Sequence, residues 1–302
     1  MASTAAGTGM PANAAPGRAP ELEDPLNRFI FHPLARVLAR VLKPTGIGAN
    51  AVSVAGMLLV WAAAWAYTSL AWPLSFLLGF SLHLLWHVVD GADGDLARLN
   101  GTASPTGELV DGVCDYAGHA VLYIALAAML DDSLGGWAWA LASAAGASHI
   151  AQTNHAETQR RAYLWWVYGV PWLKHARAEG DEVFANRNWF SLGFGWMARL
   201  YLKLPNKMTP WSARIDAVVE SSASDPARRA LIGRLARRAF RRSLRLQKAV
   251  GPNPRTIILG ASMALGSPLW FFLAEAVALN LLLFLSVRHH NAVGRRLARQ
   301  IG

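Results

Sequence analysis

Charge is scarce in this chain and cysteine almost absent: of 302 residues, 16% are charged and a single one, Cys114, is cysteine. A lone cysteine excludes an intramolecular disulfide framework and is consistent with a reducing compartment. Acidic residues are the rarer sign, 19 against 29 Lys and Arg, which leaves a net charge of +10. Zinc-ligand spacings, an RNP-like motif and a basic region followed by heptads are all missing, so nucleic-acid binding is set aside despite the basic balance. Residues 1–20 lack an apolar h-region and carry Arg18 as their one basic residue. They read as part of a disordered tail over 1–24, not as a signal peptide.

What is present in excess is apolar: 53% of the residues are hydrophobic and 13 are Trp, a composition of the membrane class. Six apolar segments approach the length needed to cross about 30 Å of hydrocarbon. They run over 51–70, 72–89, 108–130, 136–152, 256–271 and 272–287. Gly266, Ser267 and Pro268 mark either a tight turn between the last two or a kink in one long helix. The expected fold is an all-α integral membrane bundle of about six transmembrane helices. An amphipathic N-terminal helix at the cytoplasmic surface and a helical cytoplasmic insertion complete it.

Basic residues set the orientation. Arg36, Arg40 and Lys43 precede the first span, nineteen Lys and Arg lie between the fourth and fifth, and Arg288, Arg295, Arg296 and Arg299 follow the sixth. The positive-inside rule then places both termini and the long insertion in the cytoplasm, as in a bacterial inner membrane protein. Trp72, Trp137, Trp139, Trp165 and Trp166 sit at span ends and read as an interfacial belt. The expected division is a tail (1–24), the first half of the membrane domain (25–155), a basic insertion (156–255), and two last spans with a basic tail (256–302). Within the insertion, 227–250 separates an arginine arc from an apolar one. That pattern predicts a helix lying flat on anionic lipid, with docking of its apolar face on the protein as the alternative.

Chemistry concentrates in one stretch. Asp90, Asp93 and Asp95 end the second apolar segment, and Asp111 and Asp115 open the third. Carboxylates at a membrane edge are costly and mark function by default. At 100° per residue, Asp90, Asp93, Gly94 and Ala97 share one helical face, from which Asp95 points away and reads as solvated or capping. Gly107, Asp111 and Asp115 share a face by i, i+4 spacing. Four converging carboxylates need a cation, and hard oxygen donors suit Mg²⁺ or Mn²⁺, ions that usually accompany phosphate. Gly94, Ala97 and Gly107 leave the helix surfaces bare for a close approach, and Arg98 can balance phosphate charge.

These residues spell D-x2-D-G-x2-A-R-x8-G-x3-D-x3-D from Asp90 to Asp115, with all eight fixed positions met. The pattern resembles the signature of the CDP-alcohol phosphatidyltransferase family. More loosely, Pro44 and Asn50-Ala51-Val52-Ser53 resemble the entry to that family's first membrane helix. The resemblance implies an enzyme that transfers a substituted phosphate from a CDP-linked donor to an alcohol and releases CMP. By it, Asp90, Asp93, Asp111 and Asp115 hold one or two divalent metals, Asp115 is the general base, and Gly94, Ala97, Arg98 and Gly107 bind the CDP moiety. CDP-diacylglycerol is favoured as donor, with a polar alcohol as acceptor. Anionic lipid is an expected partner, and a homodimer is left open. The alternatives are an amino-alcohol phosphotransferase using diacylglycerol, an aspartate-rich prenyltransferase, or a transporter.

Other polar residues carry weaker signals. His83 and His87 lie one turn apart with no third ligand in view, which favours a packing role over metal binding. Glu275 either lines an acceptor pocket or lies near the luminal interface. Asn154, His155, Glu157, Gln159, Arg160 and Arg161 leave the fourth span together and are candidates for acceptor contacts.

Overall fold

The computed structural model describes residues 19–170 and 207–302. The secondary structure of the described residues is all helical, with no strand. A π-helical turn, Asn27–Phe31, leads into α1 (His32–Leu42), followed by α2 (Ala49–Ser69), α3 (Leu74–Asn100), α4 (Pro105–Leu134) and α5 (Gly136–Tyr168). Then come α6 (Pro210–Ser221), α7 (Pro226–Ala249), α8 (Pro252–Ala264), the short α9 (Leu269–Leu273), a π-helical turn Ala274–Ala278, and α10 (Leu279–Ile301). Residues 1–18 of the expected tail and 171–206 of the expected insertion lie outside the described residues.

Four described stretches are long and apolar enough to cross a membrane: Ala49–Ser69, Leu74–Asn100, Val110–Leu134 and Leu269–Ile301. Two of the six expected spans, 136–152 and 256–271, are not among these four. The segment 136–152 is the first half of the longer α5, which continues into polar sequence. The segment 256–271 is not one helix, because the chain breaks between Ala264 and Leu269. Gly266 turns there with φ of 80°, a left-handed conformation that glycine adopts without strain. Ser262 seals the turn: its Oγ donates to the Ser267 carbonyl and accepts from Phe271 N–H. At 1.5 Å per residue, α8 spans about 20 Å, short of the hydrocarbon thickness.

The chain forms two compact units. The first comprises Asp24–Ile150 and Pro252–Asn280. Its core gathers Val60, Tyr67, Trp86, Leu122, Leu126, Leu259 and Phe272 around α2, α3, α4 and α8. Small residues let these helices close up, as membrane helices require in the absence of a hydrophobic drive. A Cβ on Gly79 would fall 2.5 Å from the Tyr67 ring, and one on Gly260 equally close to Phe80. Helix α1 packs Ala35 and Ala39 against Val52, Ala92 and Leu96 and leaves Leu34, Val37 and Val41 exposed, an amphipathic helix as expected.

The second unit comprises Met1–Glu23, Ala151–Gly251 and Leu281–Gly302. Here α7 overturns the flat-on-lipid expectation. Its bounds, Pro226–Ala249, lie one residue from the expected 227–250 at each end, and Asp225 caps it by accepting from Arg228 N–H. Its apolar face, however, is buried: Ile232, Ala236, Phe240 and Leu244 pack with Tyr163, Trp166, Ile215, Leu297 and Ile301. The moment of a surface helix is the same whether lipid or protein covers it, so the arc alone does not choose. Trp166 is likewise no interfacial residue. It is 1% exposed and donates to Asp216 at 2.6 Å, whereas Trp72, Trp137 and Trp139 are exposed as a belt requires. At the N-terminal edge, Glu21 accepts from the hydroxyls of Tyr163 and Tyr168.

Candidate functional site

Two helices carry the aspartates. Helix α3 runs 27 residues, through the whole first half of the motif, and stops at Gly101, whose φ of 68° closes the helix with N–H bonds to Ala97 and Arg98. Helix α4 starts four residues later, at Pro105, capped by Ser104, whose Oγ accepts from Gly107 N–H at 3.1 Å. The short link brings the two acidic faces together: one carboxylate oxygen each from Asp90, Asp111 and Asp115 lies within 4.8 Å of the others. Asp93 is hydrogen-bonded to Asp111, and Asp90 to Asp115. A bond between two carboxyls needs a shared proton, and a cation would relieve the same repulsion. Three hard oxygen donors, with no sulfur or nitrogen among them, fit Mg²⁺ or Mn²⁺.

The aspartates are themselves held. Asp93 is 5% exposed and accepts from Ser53 Oγ at 2.6 Å and from the Gly94 N–H. Trp86, 3% exposed, donates its indole N–H to Asp115. His119 Nδ1 lies 2.8 Å from the Asp115 carbonyl oxygen and packs edge-on against Trp86, ring centroids 4.8 Å apart. Gly56 lies against Trp86, where a Cβ would stand in ordinary contact, 3.5 Å from the indole. Neither Trp86 nor His119 stands out in the motif. The signal for both was helical register, since Trp86 lies one turn before Asp90 and His119 one turn after Asp115.

The remaining motif positions surround this centre. Asp95 is not solvated, as its direction on the wheel suggested. It is 8% exposed and pairs with Arg98 at 2.7 Å. That pair orients the guanidinium beside Gly94, where a Cβ would lie 3.4 Å from Arg98 Nη1. Ala97 accepts the N–H bonds that end α3, and a Cβ on Gly107 would lie 3.9 Å from Asn50 Oδ1.

The weaker candidates separate. His83 and His87 both point Nε2 at Thr256 Oγ1, at 3.5 and 2.9 Å, a packing role. Glu275 is fully buried and pairs with Arg255 at 3.0 Å, which removes the interfacial alternative. Asn154, His155 and Gln159 are buried in the second unit, where His155 meets Ser286 and Gln159 meets Thr209. Burial pushes the Glu157 carboxyl up, but Arg160 and Arg161, both within 2.7 Å, hold it well below the usual carboxylate range.

No curated protein and no solved structure matches the chain. The family model CDP-alcohol phosphatidyltransferase matches residues 47–165, the stretch that holds every residue of the aspartate signature.

Proposed function

We propose that the protein is a membrane phosphotransferase that moves a substituted phosphate from a CDP-linked donor to an alcohol and releases CMP in phospholipid biosynthesis. The observation that carries this reading is the convergence of Asp90, Asp111 and Asp115 inside the family signature. When bound to Asp90, Asp93, Asp111 and Asp115, Mg²⁺ or Mn²⁺ supplies charge neutralisation for the diphosphate and the departing CMP. Gly94, Ala97 and Gly107 give the nucleotide access to bare helix backbone, and Arg98 meets phosphate charge. Asp115 takes the acceptor's proton as general base, oriented by Trp86 and His119. The distribution of Lys and Arg directs the site to the cytoplasm. CDP-diacylglycerol is one candidate donor, and a CDP-linked polar alcohol is the other.

The test is to offer purified protein a panel of radiolabelled CDP-linked donors and alcohols and to look for a lipid product. Product is expected with wild type and not with Asp93→Asn, which keeps side-chain shape and removes a charge. A wild-type yield from Asp93→Asn, or no product from any pair, contradicts the reading.

A further inference from the structure

A cavity of about 250 Å³ lies between α4 and α5, in the unit that carries the aspartates. Ala120, Ile124, Ala127, Ala142 and Trp139 make most of its wall apolar. Ile124, Trp139 and Ile150 line it and are also exposed on the outside of the bundle, so it opens where acyl chains would lie. Its polar part is built from His119, Tyr123 and His149.

Behind these three stands a buried ion pair. Arg255 is 4% exposed and Glu275 0%, with Nε and Oε1 3.0 Å apart. Charges at this depth mark functional sites by default, and Glu275 sits in the π-helical turn Ala274–Ala278, an irregularity frequent at such sites. The pair fixes the direction of the hydrogen bonds in front of it. A carboxylate only accepts, so the Tyr123 hydroxyl, which interacts with Glu275, turns its one O–H toward that charge. The Tyr123 oxygen then accepts from His149 Nδ1, 3.1 Å away. His119 Nδ1 also donates, to the Asp115 carbonyl oxygen. A neutral imidazole carries one N–H, so both Nε2 atoms are acceptors. Among the described residues neither has a hydrogen-bond partner, and the two rings stand 5.6 Å apart.

We infer that this cavity binds a lipid alcohol, a molecule with a hydroxyl on a chain-bearing backbone, as the acceptor of the reaction proposed above, a reading on which this inference rests. The hydroxyl donates to an imidazole Nε2, and the chain lies along the apolar wall. A water-soluble polyol would meet Ile124 and Trp139 with nothing to bury. His119 is one helical turn from Asp115, so the bound hydroxyl stands on the side of the candidate base. Its oxygen forms the new bond to the donor phosphorus, the bond from that phosphorus to the CMP oxygen breaks, CMP leaves with the electron pair, and the hydroxyl proton, freed from its hydrogen bond to Nε2 as the acceptor advances on the phosphorus, passes to the Asp115 carboxylate.

The experiment equilibrates the full chain in detergent micelles with tritiated dioctanoylglycerol, and separately with its acetylated analogue, without nucleotide or metal. Loss of the O–H is expected to weaken binding about tenfold, the worth of one such hydrogen bond. Gly146→Leu should abolish binding of both lipids while keeping the wild-type thermal midpoint, because a Cβ there fits 3.7 Å from Tyr123 and the rest of the side chain fills the cavity. Equal binding of the two lipids marks a groove filled by any chain and overturns the inference, as does absence of binding or binding unchanged by Gly146→Leu. Should that variant not fold, the comparison of the two lipids on the wild type decides alone. Hydroxyl-selective binding by a protein that releases CMP from no donor would remove the phosphotransfer reading and leave the binding site standing.

Discussion

At the scale of single residues, the site is a set of aspartates whose positions depend on neighbours outside the signature. Asp115 receives a hydrogen bond from Trp86 and has its backbone oxygen engaged by His119. Asp115→Asn should retain affinity for a CDP-linked donor with Mg²⁺ present while turnover falls by about 10²–10⁴, the usual worth of a general base. Equilibrium binding beside single-turnover rates separates the two effects, and collapsed affinity with a high residual rate would make Asp115 a structural ligand. Trp86→Phe keeps the ring and deletes the donor, so an about tenfold fall in kcat is expected with donor affinity kept. A change confined to KM would contradict a positioning role. Glu157 offers a test by pH. Its folded-state value is depressed by Arg160 and Arg161 against the pull of burial. Its stabilisation is therefore present above the ordinary carboxylate value of 4.5 and lost as pH falls below it. Thermal midpoints of Glu157→Gln should lose less than wild type as the solution is acidified, and parallel acid limbs would refute the pairing.

At the scale of elements, the tight contacts in the first unit are between glycine backbones and rings. Gly79→Ala and Gly260→Ala each place a Cβ 2.5 Å from a ring, of Tyr67 and Phe80, and should cost about 1–3 kcal/mol by overpacking. Gly112→Ala meets nothing within 4 Å and should not lower the midpoint. Equal midpoints for all three would show that the helices are spaced more loosely. Much of this level was legible. The motif spacing placed Asp90 and Asp93 on one helix face and Asp111 and Asp115 on another, and the helix expected over 227–250 lies within one residue of α7 at each end. What was not legible followed from partners distant in sequence. Asp95 was placed by direction on a wheel and turned out buried on Arg98. The arc of α7 was read against lipid and is covered by residues from α5, α6 and α10. Trp166 resembled a belt residue, but Asp216, 50 residues on, accepts a hydrogen bond from its indole N–H.

At the scale of the whole molecule, the family match ends at residue 165, whereas the chain continues to 302. The groups behind the cavity, Arg255 and Glu275, come from the later part, which the signature does not reach. Sequence periodicity registered a charged residue in an apolar run without naming its counter-ion, because the pairing is made by tertiary packing. The central claim is metal-dependent phosphotransfer at the aspartates, and its most direct measurement is CMP formation by the purified protein after EDTA treatment, with Mg²⁺ or Mn²⁺ restored in steps. CMP is expected only with a cation, a CDP-linked donor and an acceptor alcohol together, and is expected to be lost in Asp111→Asn. CMP formation undiminished in excess EDTA, or a wild-type rate from Asp111→Asn, would contradict it.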